Sequence, residues 1–290
     1  MTVPSPMDDV RAQYEALPYP PRDPRDEAIR LITGTPSHVL EINHYLFSGR
    51  LNFMRPFRAL VAGGGTGDAC IMLAQQLADR RCPGEVVYLD ISTASRQICE
   101  GRAKARGLRN INFLTGSLLD LPSMPIGQFD YIDCTGVLHH LPDPAAGMRA
   151  LASVLNPDGG MGVMLYGEYG RSGVYPMHEM LRMLAPEDAD PVERVALAKR
   201  LIRFLPTTNL FRRNPYLNDH VTGGDAGLYD LLLHSCDRAF TVPDIGTMAQ
   251  ESGLRVVAFL EPVRYEPATY MSDPIIARMA SSLPLVERVA

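Results

Sequence analysis

The sequence predicts an α/β protein: a doubly wound, mostly parallel sheet with an N-terminal strap and a helical lid insertion. Three observations predict it. The apolar run Ala59–Ala62 reads as a buried strand and leads into the glycine loop Gly63, Gly65, Gly67, after which Cys70, Leu73, Ala74 and Leu77 share one face of a helix. Strand, glycine turn and helix open such a fold, because glycine takes positive φ and lets a ligand lie against bare backbone. Next, Glu85–Asp90 is a short apolar strand ending in a carboxylate, roughly 20 residues past the loop, a spacing that suits ribose hydroxyls. Finally, strands at Asn110–Ser117, Gln128–Cys134 and Met161–Tyr166 alternate with helices, which implies a parallel sheet covered on both faces.

The sixth position of the loop narrows the ligand. A dinucleotide fingerprint carries glycine there to admit a pyrophosphate; this chain has Asp68. A carboxylate repels a pyrophosphate and suits a ligand that lacks phosphate or bears an ammonium. S-adenosylmethionine (SAM) is such a ligand.

Composition sets outer bounds. The chain has 290 residues, 46% hydrophobic and 21% charged, enough for a large core with an insertion. A net charge of −5 disfavours a nucleic-acid partner. The five cysteines are scattered without metal-ligand spacing, so no metal site is expected and a reducing compartment is. With no leader-like start and no membrane-length apolar run, the expected setting is cytoplasmic.

In chain order, residues 1–55 form the strap or cap. Prolines at 18, 20, 21 and 24 limit helix there to Asp8–Ala16. Tyr14 and Tyr19 read either as incidental aromatics on a mobile arm or as parts of a strap over the ligand, the first weighing slightly more. His44 weighs toward a structural role. Residues 56–166 form the ligand-binding core. Within it Ala94, Ile98, Gly101 and Ala105 give an inward helix face stopped by Gly107, a helix spans 144–155, and Asn156–Gly160 has turn chemistry. Residues 167–240 break the alternation and are expected to form the lid. Met177, Met180, Leu181 and Leu184 mark one helical face there, Val192 to Leu205 another, with a long loop between Pro206 and Gly227. In 241–290 a helix from Thr241 to Ser252 is followed by an expected sixth strand, Leu254–Leu260. The last residues, Val286–Ala290, stand mid-pattern for an amphipathic helix, so a continuation or a partner at the sheet edge is expected; a homodimer is one option.

Five motifs in order resemble class I SAM-dependent methyltransferases: Ala62-Gly-Gly-Gly-Thr-Gly67, Leu89-Asp90, Leu114–Pro122, Phe129–Pro142 and Leu155–Gly160. The likeness spans about residues 56–166, and Thr241–Leu260 is similar to the family's later helix–strand pair. More narrowly, the chain is similar to bacterial methyltransferase domains that in some proteins are attached to tetratricopeptide repeats. The resemblance implies a Rossmann-like fold and SAM held by Gly63, Gly64, Gly65, Gly67, Asp90, Ile91, Ser117, Leu118, Cys134 and Thr135. Two positions depart from it. Val61 stands where the family often has an acid for the methionine end, and Ser117 where it often has an aspartate for the adenine amine. Backbone at Gly63, at Ser117–Leu118 and near Cys134 is then expected to carry more of the binding.

Methyl transfer from a sulfonium is an in-line displacement governed mainly by positioning, with a base where the nucleophile must lose a proton. His139, Tyr166 and Glu168 are the expected catalytic groups, with His140 also at the sheet's carboxyl edge; Tyr14, Tyr19 and Tyr45 are candidates to face the methyl region. The expected activity is methylation of an O, N or C nucleophile on a small molecule or peptide. The alternatives are a non-catalytic SAM-binding module, motivated by Val61 and Ser117, and an NAD(P) oxidoreductase, opposed by Asp68.

Overall fold

A computed structural model describes residues 6–186 and 189–290. Five parallel strands, β1 (Arg58–Ala62), β2 (Glu85–Asp90), β3 (Ile111–Thr115), β4 (Phe129–Thr135) and β5 (Leu155–Met164), lie in the order β3-β2-β1-β4-β5. The order reverses between β1 and β4, so the carboxyl ends of these two strands diverge and leave the crevice in which such sheets bind ligands.

Strand alternation builds two cores. Leu60, Ala62, Val87, Leu89, Ile132 and Cys134 point to one face and pack with α5 (Pro144–Ser153) and α11 (Val242–Glu251). Ala59, Val61, Val86, Tyr88 and Tyr131 point to the other, against α3 (Asp68–Asp79) and α4 (Thr93–Arg106). Burial on both faces explains why these strands read as continuous apolar runs. The helix ends follow local chemistry: Ser92 caps α4 through the Ser95 N–H, Gly107 closes it at φ 68°, and Thr241 and Asp244 form a reciprocal capping box at α11.

Residues 174–233 hold a third apolar cluster, built by α6 (Val174–Leu184), α7 (Pro191–Phe204), α8 (Leu210–Arg213), α9 (Asp219–Thr222) and α10 (Gly224–Leu232). The stretch expected as one long loop thus contains three helices, of which α8 and α9 span 4 residues each, too few to show a 3.6-residue period. The N-terminal α1 (Pro6–Ala16) and α2 (Val39–Tyr45) complete the cap side, and α12 (Pro274–Ser281) and α13 (Leu285–Val289) follow α11.

Two strand expectations are corrected. Asn156–Gly159 does not end an element: β5 starts at Leu155, opposite Phe129, and rejoins β4 at Gly160, opposite Tyr131, so the turn residues bulge out of a ladder that continues past them. Leu254–Leu260 forms no strand. Its burial alternates as a strand's would, but a strand needs a ladder partner, and this segment lies across a groove from the β5 edge.

Candidate functional site

A cavity of about 490 Å³ opens at the crevice between β1 and β4. Its floor is the glycine loop, where Gly63, Gly65 and Gly67 have φ of 74°, 50° and 102°. The loop is fixed from beneath: the Gly63 and Gly64 N–H groups donate to the Leu89 carbonyl at 2.8 and 3.1 Å, and the Tyr88 hydroxyl donates to the Gly65 carbonyl at 2.7 Å. A Cβ on Gly64 would sit 2.3 Å from the Tyr88 ring. The Gly63 N–H, expected to serve a ligand, is therefore already spent on the protein.

Asp90 closes β2 beside the loop. Its Oδ2 accepts from the Gly65 N–H at 2.7 Å and its Oδ1 from the Ser92 N–H at 2.8 Å. Burial pushes this carboxyl above its ordinary range against the pull of those N–H groups. Each oxygen keeps a second lone pair, so the group can still take a pair of ribose hydroxyls. Gly64, Gly65, Ile91, Ser117, Leu118 and Thr135 line the same space. Gly67 instead caps α3, and the Cys134 side chain is buried in the core beneath α5.

Asp68 also borders the cavity, held by Arg22 at 2.6 Å and Arg102 at 2.7 Å. Burial raises its carboxyl, and the two guanidiniums more than reverse that.

The acid absent at Val61 reappears one strand over. Val61 and Asp133 are paired neighbours on β1 and β4, both facing the cavity, and Asp133 accepts from Ser37 Oγ at 2.5 Å and Thr135 Oγ1 at 3.2 Å. Burial pushes Asp133 up to about 6. Sequence reading missed it, since only strand register reveals that positions 61 and 133 are adjacent.

The far end of the cavity joins distant segments. Tyr14 from α1, Tyr166 after β5, His140, Asp219 from α9 and Asp230 from α10 all line it. The Tyr14 and Tyr166 hydroxyls donate to Asp230 at 2.8 and 3.2 Å, and the Tyr19 hydroxyl reaches Asp219 at 3.4 Å. Burial raises the Tyr14 and Tyr166 phenols, and Asp230 adds to it. Asp230 had one sequence signal, a lone carboxylate inside the apolar run Leu228–Leu233.

Three expected residues fall elsewhere. His139 is fully buried and stacked on Tyr166 at 3.7 Å, with no hydrogen-bond partner for either ring nitrogen; burial drives it down to about 2. It supports the Tyr166 ring and its neighbour His140 faces the cavity, because adjacent residues of a 3-10 turn point different ways. Glu168 is exposed, outside the cavity wall. Tyr45 opens onto the groove along the β5 edge.

The comparisons with known proteins agree with this geometry. The model of a methyltransferase domain matches residues 60–161, the span from the glycine-loop strand to β5. Residues 60–161 form a methyltransferase domain. An uncharacterised protein of Synechococcus is 30% identical over 266 residues, 89% of this chain and 61% of that protein. The demethylmenaquinone methyltransferase of Geobacillus kaustophilus is 35% identical over 116 residues, 40% of this chain and 47% of that enzyme. The chain thus spans about half to three fifths of the length of these curated relatives. PKMT2 from Rickettsia typhi in complex with AdoHcy shares the fold, with a TM-score of 0.67 at 18% identity over 88% of this chain and 49% of that one. In the methyltransferase domain, the residues fit SAM: a glycine floor bordered by the Asp68 carboxylate, which would repel a pyrophosphate, Asp90 for a ribose, apolar Ile91 and Leu118 for a flat ring, and a carboxylate at Asp133 for an ammonium. No helix among the described residues is long and apolar enough to cross a membrane.

Proposed function

We propose that this chain transfers the methyl group of SAM to an O, N or C nucleophile of a small molecule or peptide side chain, in the space enclosed by α1 and the α9–α10 segment. One observation carries the reading. The cavity that begins at the glycine loop and Asp90 runs without a wall to Tyr14, His140, Tyr166 and Asp230, so a cofactor end and a polar acceptor end are one volume. Its size, about 490 Å³, lies in the range of small-molecule sites. SAM supplies an activated methyl; the chain's part is to align it with the nucleophile and exclude water.

The relatives named for demethylmenaquinone show that the domain serves small-molecule acceptors in other proteins. The gathering of hydroxyls, carboxylates and an imidazole at the end opposite Asp90 favours transfer over silent binding. Calorimetry with SAM and S-adenosylhomocysteine tests the cofactor end; labelled SAM with fractionated cell extract tests transfer. Binding with label reaching no fraction would leave the non-catalytic module as the better reading. The cysteines are all free thiols, which fits the cytoplasmic setting we propose.

A further inference from the structure

Two stacked imidazoles, His140 and His234, lie at the acceptor end, their ring centroids 3.7 Å apart. The peptide groups of one residue, Cys236, fix both. Its carbonyl oxygen is 2.8 Å from His140 Nδ1, and its N–H donates to His234 Nδ1 at 3.0 Å. A carbonyl only accepts, so neutral His140 carries its proton on Nδ1 and leaves Nε2 bare. A peptide N–H only donates, so His234 is bare at Nδ1 and protonated at Nε2. That Nε2 lies 3.4 Å from the Tyr14 hydroxyl oxygen, and the same hydroxyl donates to Asp230 Oδ1 at 2.8 Å. The proton chain stops there: His140 Nε2 and Asp230 Oδ1 are acceptors facing each other at 4.0 Å, on the cavity wall.

We infer that His140 Nε2 is the general base of the transfer, that Asp230 steadies the imidazolium it becomes, and that the acceptor presents its nucleophile as an O–H or N–H. This rests on the methyltransferase reading above. As the nucleophile's lone pair forms the bond to the methyl carbon, the carbon–sulfur bond breaks with its electron pair staying on sulfur. The O–H or N–H proton passes to His140 Nε2, whose new positive charge meets the carboxylate. The charged and titratable groups around the ring are Tyr14, Asp230, His234, His139, Tyr166, His178 and Asp237. Burial drives His139 down to about 2 and lowers His234, so both neighbouring imidazoles stay neutral.

The same atoms raise a second chemistry. His140, Asp230 and His234 could hold a metal ion, their ligand atoms lying within 4.8 Å of one another. The tautomers argue against it, since His234 offers a proton where a metal needs a lone pair, and turning it over would forfeit the Cys236 N–H bond.

Ring nitrogen NMR on histidine-labelled protein, with His140→Asn and His234→Gln for assignment, reads the tautomers directly. His140→Asn and His140→Gln are then compared with wild type for calorimetric binding of S-adenosylhomocysteine and for label passed to the extract fraction that wild type methylates. Asparagine keeps a donor toward the Cys236 carbonyl and has no basic nitrogen. The expected result is a proton on Nδ1 of His140 and Nε2 of His234, binding within about threefold of wild type, and transfer reduced about 100-fold or more with the acid limb of the pH–rate profile removed. Transfer within about threefold of wild type and an unchanged pH profile, a proton on His140 Nε2, or stoichiometric zinc binding that shifts both rings would each overturn it. Failure of wild type itself to bind S-adenosylhomocysteine or pass label overturns the parent reading instead, and this inference with it.

Discussion

At the scale of single residues, the proposed hold on SAM rests on two carboxylates. Asp90 is already committed to two backbone N–H groups, so it cannot swing away, and a ribose meets a pre-set acceptor. Replacing it with alanine removes both ligand bonds and the anchor of the Gly65 N–H; S-adenosylhomocysteine affinity should fall roughly 100-fold or more by calorimetry, since a hydrogen bond to a charged group is worth about 1.5–3 kcal/mol. Asp133 makes a pH prediction. Its folded value of about 6 lies above the ordinary 3.8, so the native state binds more protons than the unfolded one between those values. Stability from this group is full below pH 4 and is lost as pH rises toward 6, a cost on the order of 3 kcal/mol at neutral pH. An ammonium bound beside the ionised carboxylate offsets that cost. The thermal shift given by SAM should therefore grow from pH 5 to pH 7 in wild type and stay flat in Asp133→Asn; equal pH dependence in both would remove Asp133 from the site.

At the scale of elements, the segment after α1 is joined to the core by charge and hydrogen bonds. Glu27, in the 3-10 turn Pro24–Ala28, is buried against Arg102 at 2.6 Å and also pairs with Arg106, both on α4. Nearby, Thr66 of the glycine loop donates to the Pro20 carbonyl at 2.7 Å. Glu27→Ala leaves Arg102 with only Asp68 and the Thr66 carbonyl, and takes from Arg106 its carboxylate. It should cost about 3 kcal/mol in urea unfolding and weaken S-adenosylhomocysteine binding as well, because the same segment supports the loop. A normal unfolding midpoint would show the pair to be incidental. None of this pairing was legible in the sequence. Each strand of the sheet was, apart from the start of β5, with burial on both faces leaving continuous apolar runs in β1 and β2, and so were the helices long enough to show a period. What stayed hidden depends on partners far along the chain. Leu254–Leu260 has a strand's alternation without a neighbouring ladder, α8 and α9 are shorter than any periodic signal, and His139 and His140 differ only in which way a tight turn aims them. The site divides the same way. The glycines, Asp90 and Ser117 each sit at or just past the carboxyl end of a strand, at a fixed offset within its own strand–turn unit, whereas Asp133 and Asp230 reach the cavity through register and tertiary folding.

At the scale of the molecule, the cavity is closed by two segments from opposite parts of the chain that are bonded to each other. Met7, Val10 and Tyr14 of α1 form one side, Asp219 and Asp230 the other, and the Tyr14–Asp230 hydrogen bond at 2.8 Å spans the mouth between them. Glu15 fastens the carboxyl end of α1 to the start of α4 through the Thr93 and Ala94 N–H groups. Entry of SAM between α1 and α10 would break the Tyr14–Asp230 bond, which would then act as a latch on exchange as well as part of the acceptor wall. Tyr14→Phe keeps the ring and its packing and deletes the hydroxyl, a change of about 1 kcal/mol. Because the latch must open for entry and for exit alike, both rate constants for S-adenosylhomocysteine should rise about fivefold in stopped-flow measurements, with the dissociation constant moving far less than either. Hydrogen exchange should show the same thing locally, with faster exchange in α1 and α10 and no change in β1, β2 or β4. If exchange quickens across the sheet as well, the hydroxyl supports global stability; if neither rate constant moves, entry follows another path and the two segments are a fixed wall.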